Sequence, residues 1–405
     1  MTTFLQLHLL TSYPPACLNR DDLNRPKSAV MGGVPRLRIS SQSLKRAWRV
    51  SDVFREQLTG ETGIRSKELG RKIKEALLTG TSLSELVKPH HAKAGPDGQV
   101  QEKDANEWAW MIAAEFVDKK GKGGEEESDS EEIQEEEKTK KKGKKSAKSN
   151  VSRETLKSEQ VVFYSLDEIE ALDELVKALR VSRTKAPTAE QLAGIKTKAA
   201  PRTADLALFG RMLASSPDYN VEAACQVAHA ITVHRAAVED DFFTAVDDLN
   251  THEEDAGSAH LGDQGFGAGL FYLYVCIDCD RLRENLGGDA DLADRAVKAL
   301  IEAAATVAPT GKQNSFASRA WAYYALVEKG SRQPRALSLA FMKPVREGDM
   351  LHEAVTALTA MRGNLDKVYY RGESLPSKAL LALPDRAEGS FDEILDFVAN
   401  CGGEA

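Results

Sequence analysis

"RLRISSQSLKRAWR" (Arg36–Arg49) is the stretch on which the fold turns. From Arg36 to Ser40 charged and apolar side chains alternate, the period of a short strand with one face buried. Ser40 or Ser41 then stands where a helix N-cap is expected, ahead of "SLKRAWRVSDVFREQL". On a single helix from Ser41 to Leu58, at about 100° per residue, Leu44, Ala47, Phe54 and Leu58 fall on one stripe. Gln42, Lys45 and Arg49 fall on the opposite stripe, with Arg46 on its shoulder. Two readings of that basic face stand. It is an ordinary solvated face, or it is a surface that holds phosphates, helped by the unpaired N–H groups and positive dipole end of the helix start.

Upstream, Phe4–Leu10 reads as a buried first strand closed by "SYPP". Thr11 to Pro35 contains Pro14, Pro15, Pro26, Gly32, Gly33 and Pro35, and reads as one long loop that brings Arg20, Arg25 and Lys27 towards the helix. Downstream, Ile64 to Arg183 has a helical pattern interrupted by an acidic block (Glu125–Glu137) and a basic block (Lys138–Lys148). These blocks have almost nothing to bury, which predicts a disordered, solvated insertion. "VEAACQVAHAITVH" reads as helix. Gly262 to Gly269 reads as a flexible turn leading into a strand, "LFYLYVCID". "DADLADRAVKALIEAAATVA" reads as helix, "AWAYYALVE" and "ALSLAFM" as strands, and the last sixty residues as helix with loops. No repeat of solenoid period is visible. Together these elements predict an α+β sheet with helices on one face and large insertions.

The chain has 405 residues, 42% hydrophobic and 29% charged, with a formal net charge of −8. That is ordinary for a soluble domain and argues weakly against a nucleic-acid partner, although net charge averages over an uneven distribution. The five cysteines are scattered and odd in number, which predicts free thiols in a reducing compartment. "MTTFLQLHLLTSYPP" lacks the basic flank of a signal peptide, and no run approaches the roughly 18 apolar residues of a membrane span. A cytoplasmic protein with no membrane partner is expected. "CIDC" (Cys276, Cys279) has no second pair at zinc-binding distance, "THEED" is not a metal helix, and "GFGAG" lacks the lysine of a phosphate loop. No metal and no cofactor is expected. Asp240/Asp241 and Asp247/Asp248 are the catalytic candidates, since paired carboxylates can hold Mg²⁺ for phosphodiester hydrolysis.

"LLTSYPPACLNRDDLNRPKSAVMGGVPRLRISSQSLKRAWR" (Leu9–Arg49) resembles the N-terminal signature of the CasC family, the backbone subunit of type I-E CRISPR Cascade. The resemblance continues in "DLALFGRM", "AHAITVH", "EDDFFTAVDDL", "HLGDQGFGAGLFYLY", "ENLGG" and "GKQNSFA", and so touches most of the chain outside the charged insertion. It implies a palm of RNA-recognition-motif-like (ferredoxin-like) type, a helical fingers insertion and a thumb hairpin. On that plan residues 1–60 begin the palm, and 61–200 form the fingers with a disordered segment at about 118–150. Residues 201–260 form the thumb region, 261–345 complete the palm, and 346–405 form a C-terminal helical segment.

The resemblance also implies a function. The protein would be a non-catalytic crRNA-binding subunit that polymerises along the guide in antiviral defence. Its partners would be the crRNA, the target DNA strand, other Cascade subunits and further copies of itself. Carried over by position, Arg20, Lys27, Ser40, Gln42, Lys45, Arg46 and Arg49 would follow the guide backbone, with Arg211 and Lys312 as additions. Met212 and Phe243 would be apolar wedges beside a displaced base, although each also reads as a core side chain. Lys177, Arg180, Arg183 and Lys185, or the basic run at 138–148, are candidates for contact with duplex DNA. A subunit that accepts any guide must grip phosphate and sugar, and an apolar wedge tolerates any base because every base has a flat face. The rival is a Mg²⁺-dependent nuclease using the Asp240–Asp248 cluster, which lacks a convincing base.

Overall fold

In the computed structural model strand β1 (Phe4–Ala16) runs straight through the prolines expected to end it. Its register against a neighbouring strand shifts between Tyr13 and Ala16, so Pro14 and Pro15 sit in an irregularity where their missing N–H groups break no ladder pair. Gln6 and His8 are as buried as Leu5, Leu7 and Leu9, so both faces of β1 are covered. The residues described are 2–88, 95–117, 151–183, 185–196, 202–213, 217–245, 260–346 and 348–401. The charged insertion at 118–150 and Asp247/Asp248 lie outside them.

The chain divides into two units, one of Met1–Leu58, Cys225–Asp280 and Ala293–Ala405, the other of Thr59–Ala224 and Arg281–Leu292. In the first, β2 (Ser28–Met31) and β3 (Val34–Ile39) form a hairpin around Gly32 and Gly33, both in the left-handed region. Helix α1 (Ser41–Arg49) follows, then α2 (Asp52–Gln57). The single helix expected from Ser41 to Leu58 is therefore two. Ser51 takes an extended conformation, and its hydroxyl accepts from Phe54 N at 3.2 Å as a new N-cap. The apolar stripe survives the break: Leu44, Ala47, Trp48, Phe54 and Leu58 are all buried. Burying each large apolar side chain contributes about 1.5–3 kcal/mol.

The second unit is mostly helical, as its pattern predicts. Its elements are β4 (Ile64–Ser66), α3 (Leu69–Thr79), α4 (Leu83–Leu86), α5 (Glu102–Ala114), β5 (Val162–Tyr164), α6 (Leu166–Ser182), α7 (Ala189–Ala193) and α8 (Ala204–Phe209). A core that includes Ile73, Leu77, Trp108, Ile112, Leu172 and Val176 joins α3, α5 and α6. Buried Asp173 on α6 accepts from the hydroxyls of Ser82 and Ser84 and from their neighbouring backbone N–H groups. Burial pushes its carboxyl up, but those hydrogen bonds outweigh burial and hold it below the usual range.

The first unit resumes with β6 (Cys225–Val227) and β7 (Ala230–Thr232), where the sequence reads as helix. The reason is β9 (His260–Asp278), a 19-residue strand that pairs with both, and with β8 (Glu239–Ala245) in a hairpin. So long an edge recruits short segments whatever their helical pattern. The glycine-rich stretch is likewise not a turn but the first half of β9. A Cβ at Gly269 would stand 2.5 Å from the Thr232 methyl, so only glycine lets β7 approach there. The chain continues through α9 (Cys279–Asn285), α10 (Ala290–Thr306), α11 (Gln313–Phe316), β10 (Ala322–Gly330), α12 (Met350–Tyr370), β11 (Ser377–Ala382), β12 (Ala387–Glu388) and α13 (Phe391–Val398). "ALSLAFM" is no strand but a 3₁₀ turn at Ser338–Phe341, which buries Leu337 and Phe341 and leaves Leu339 out. The last sixty residues add two strands the sequence reading lacks.

The result is a mixed α+β architecture. Its main sheet has the order β12-β11-β10-β1-β9-β7-β3-β2, with β6 and β8 also on β9, and its pairings are antiparallel. Cys279 and Cys401 form a disulfide, which corrects the expectation of free thiols; Cys17, Cys225 and Cys276 remain reduced and buried. No helix among the described residues is long and apolar enough to cross a membrane.

Candidate nucleic-acid interface

The long loop between β1 and β2 is ordered by its own turn chemistry. Asp21 Oδ1 accepts from the backbone N–H groups of Leu23 and Arg25, Asn24 takes a left-handed conformation, and Arg20 bridges to Pro26. The loop is then fastened to β3 and α1. Lys27 N donates to Asn19 O (2.9 Å), Arg38 N to Lys27 O (2.8 Å), and Ser40 N to Asn19 Oδ1 (2.8 Å). Residues far apart in sequence thus share one surface of the first unit. Lys312 joins it from the other side: its Nζ donates to Gln264 Oε1 at 2.7 Å, and Gly311 packs on the carbonyls of Cys17 and Leu18. Burial pushes the Cys17 thiol up, and the nearby charges of Lys312 and Arg20 oppose the shift.

The start of α1 differs from the expectation of open N–H groups. Ser40 is buried and caps the helix, its hydroxyl accepting from Ser43 N, while Ser41 N donates to His229 Nδ1 at 3.2 Å. The protein itself takes those donors, so attraction for an anion falls to the side chains. Gln42 and Arg46 are exposed, and Lys45 and Arg49 are half-buried beside them. Among the described residues, Arg20, Lys27, Arg38, Arg46 and Lys312 make no ion pair with a carboxylate. That is a run of uncompensated positive charge on an acidic protein.

Arg36 and Arg38 share one face of β3, yet their surroundings differ. Arg36 is fully buried and donates to the carbonyls of Met31, Thr232 and Phe341. Arg38 stands at the surface, its Nη1 3.2 Å from His229 Nδ1. Asn19, Arg38 and His229 belong to this surface and escaped the sequence reading. Arg38 alone carried a signal, its place opposite Ile39 in the alternating strand.

The acidic pair on β8 has other work. Asp240 pairs with Arg25 at 3.0 Å, and Asp241 accepts from Gln264 Nε2 at 3.2 Å. As neighbours on a strand they point to opposite faces, the wrong arrangement for one shared metal ion. No group of three or more metal-ligating side chains occurs among the described residues. Phe242 and Phe243 are both exposed on the same strand, at 68% and 41%.

Two expected contacts lie in the second unit. Arg211 is buried, donating to Glu168 Oε2 at 2.6 Å and to the carbonyls of Phe163 and Tyr219, so it braces that unit and offers no free cation. Met212 next to it is 79% exposed, which removes its core reading. Of the candidates on and after α6, Lys177 pairs with Glu174, and Arg180 is held by Asp97 and the Leu77 carbonyl. Arg183 and Lys185 are exposed.

The fold and surface define a mixed α+β protein with a cationic loop-and-helix face built on an antiparallel sheet. The model of the CT1975-like protein family matches residues 5–395, and the chain belongs to that family, in agreement with the CasC-type signature. Among solved structures, a chain described as "CRISPR RNA-guided surveillance complex, pre-nicking" is 27% identical with a TM-score of 0.72. The match covers 98% of this chain and 99% of that one. A chain described as "CRISPR RNA-guided surveillance complex" is similar in fold, with 22% identity, a TM-score of 0.64 and coverage of 98% and 99%. No curated protein matches.

Proposed function

We propose that this protein is a non-catalytic crRNA-binding subunit of a type I-E CRISPR Cascade surveillance complex, acting in the cytoplasm. The observation that carries the reading is the interlocked surface of Asn19, Lys27, Arg38 and Ser40, continued on α1 by Arg46, which meets no carboxylate among the described residues. A protein with net charge −8 that concentrates unpaired cations on one face is built for a polyanion. Its contacts are to phosphate and sugar, so any guide sequence is accepted. Likeness to a chain of an RNA-guided surveillance complex at 27% identity over nearly the whole length supports the same assignment.

On this reading the sheet is a palm of RNA-recognition type. The order β10-β1-β9-β6, antiparallel throughout, supports it, because that is the order of the split βαβ plan. The β8–β9 hairpin is the root of the thumb and carries Phe243 as a wedge against a displaced nucleotide, and the second unit is the fingers, with Met212 the other wedge. Copies of the chain line up along the guide and leave its bases free to pair with target DNA.

The experiment is purification of the protein co-expressed with a guide RNA, comparing wild type with Lys45→Glu and Arg46→Glu. Wild type should elute with RNA and a raised 260/280 nm absorbance ratio, and the charge reversals should lose RNA while keeping the wild-type circular dichroism spectrum. RNA retained by both variants would reject the assignment of α1.

A further inference from the structure

We propose that Arg38 contacts a backbone phosphate of the bound RNA and that His229 is the positioning residue that aims it, an inference that rests on the RNA-binding reading above. His229 Nδ1 lies 3.2 Å from Ser41 N and 3.2 Å from Arg38 Nη1. A backbone N–H and a guanidinium can only donate, so Nδ1 must present its lone pair to both, and the ring proton sits on Nε2. One neutral imidazole therefore ties the first turn of α1 to the guanidinium of the strand before it.

The choice of partner matters. A carboxylate in that place would fix the arginine and cancel its charge, as Asp240 does for Arg25 and Glu168 for Arg211. An imidazole fixes the side chain and leaves the charge whole. Of the five N–H donors of a guanidinium, the bond to His229 uses one. Among the described residues Arg38 meets no carboxylate, so its remaining donors are available to an anion. The backbone of Arg38 is held as well, since its N–H donates to Lys27 O, and Ile39 beside it is buried. Little conformational freedom remains to be lost on binding, which is the condition for a strong charge-assisted contact. The ligand chemistry is a phosphodiester oxygen of single-stranded RNA, because nothing at Arg38 reads a base.

The test is a binding cycle with a fluorescein-labelled single-stranded RNA of mixed sequence, followed by anisotropy across a salt series. The proteins are wild type, Arg38→Ala, His229→Ala, the double variant, Arg38→Gln as a milder neutralisation, and Lys27→Ala as a reference. Arg38→Ala and Arg38→Gln should each weaken binding by roughly 10-fold and flatten the log–log salt slope by about 0.7. His229→Ala should weaken binding by a few-fold when Arg38 is present and not at all when it is absent, a non-additivity that a merely structural histidine would not produce. His229→Asn, which keeps an acceptor, should recover part of the loss. Wild-type affinity and slope in both Arg38 variants, alongside weakened Lys27→Ala, would overturn the inference and leave the RNA-binding reading standing. Equal effects of His229→Ala in both backgrounds would overturn the positioning role. Failure of the wild-type protein to bind RNA would overturn the reading itself.

Discussion

Arg211 and Met212 are neighbours in the chain with opposite fates. The guanidinium of Arg211 meets a carboxylate that is itself wholly buried, so removing it strands the Glu168 charge. Arg211→Ala should cost about 3–5 kcal/mol of stability, read as a lower urea midpoint. Met212→Ala, at an exposed position, should stay within about 0.5 kcal/mol of wild type in the same assay. A loss at Met212 as large as at Arg211 would mean that its thioether packs in the core after all. The sequence could not separate these two, nor Arg36 from Arg38 on the same strand face, because burial at each is decided by distant neighbours, such as Thr232 and Phe341 over Arg36. Arg46 and Gln42 were legible as surface residues since they lie off the apolar stripe. His229 was not, because its role depends on β7 lying next to β3, a pairing of residues 191 apart.

Among the elements, the β8–β9 hairpin shows how local reading and long-range pairing diverge. Its glycines and acidic residues suggest a flexible turn and a metal site. In the fold the described part, Glu239–Ala245 against His260–Phe266, is an antiparallel ribbon clamped through Arg25–Asp240 and Lys312–Gln264–Asp241. Asp240→Asn should remove that clamp and free Arg25, so RNA should bind at least as tightly as to wild type. Neither protein should cleave labelled RNA or DNA with Mg²⁺, with or without chelator. Cleavage by wild type that Asp240→Asn abolishes would revive the nuclease. Strong periodic helices such as α6 and α10 were readable from sequence because their own apolar faces specify them. The short β6 and β7 were not, because strands of three residues exist only through their partner. The break between α1 and α2 was written in Ser51, a second N-cap inside an apparently continuous pattern.

Across the first unit a buried polar network joins β1, β9, β10 and α12. Glu328 accepts from Arg335 and Arg362, and His8 bridges Glu328 and the Tyr272 hydroxyl. Burial pushes the Glu328 carboxyl up, but hydrogen bonds from His8 and Arg335 and the charge of Arg335 bring it down to about 2. For His8, burial lowers the pKa and outweighs the pull of Glu328, so the ring stays neutral in the fold. An unfolded histidine takes up a proton below about pH 6.5 and an unfolded glutamate below about 4.3. Both therefore drain stability from the native state as pH falls, His8 first and Glu328 in the range below. Thermal scans should show the melting temperature dropping from about pH 6.5 downward, and His8→Gln should flatten the upper part of that fall. An unchanged profile in His8→Gln would remove His8 from the account. Such a network leaves only isolated polar letters in the sequence, as does the Cys279–Cys401 bridge across 122 residues.

The claim on which everything else rests is that one cationic face grips a polynucleotide by its phosphates, without regard to its bases. It is tested most directly by the salt dependence of binding to two single-stranded RNAs of unrelated sequence, for wild type and for Lys27→Ala/Arg46→Ala. Wild type should bind both RNAs alike with a steep slope, and the double variant should bind both more weakly with a slope shallower by about 1.4. A strong preference for one sequence, or a slope that the double variant leaves unchanged, would contradict it.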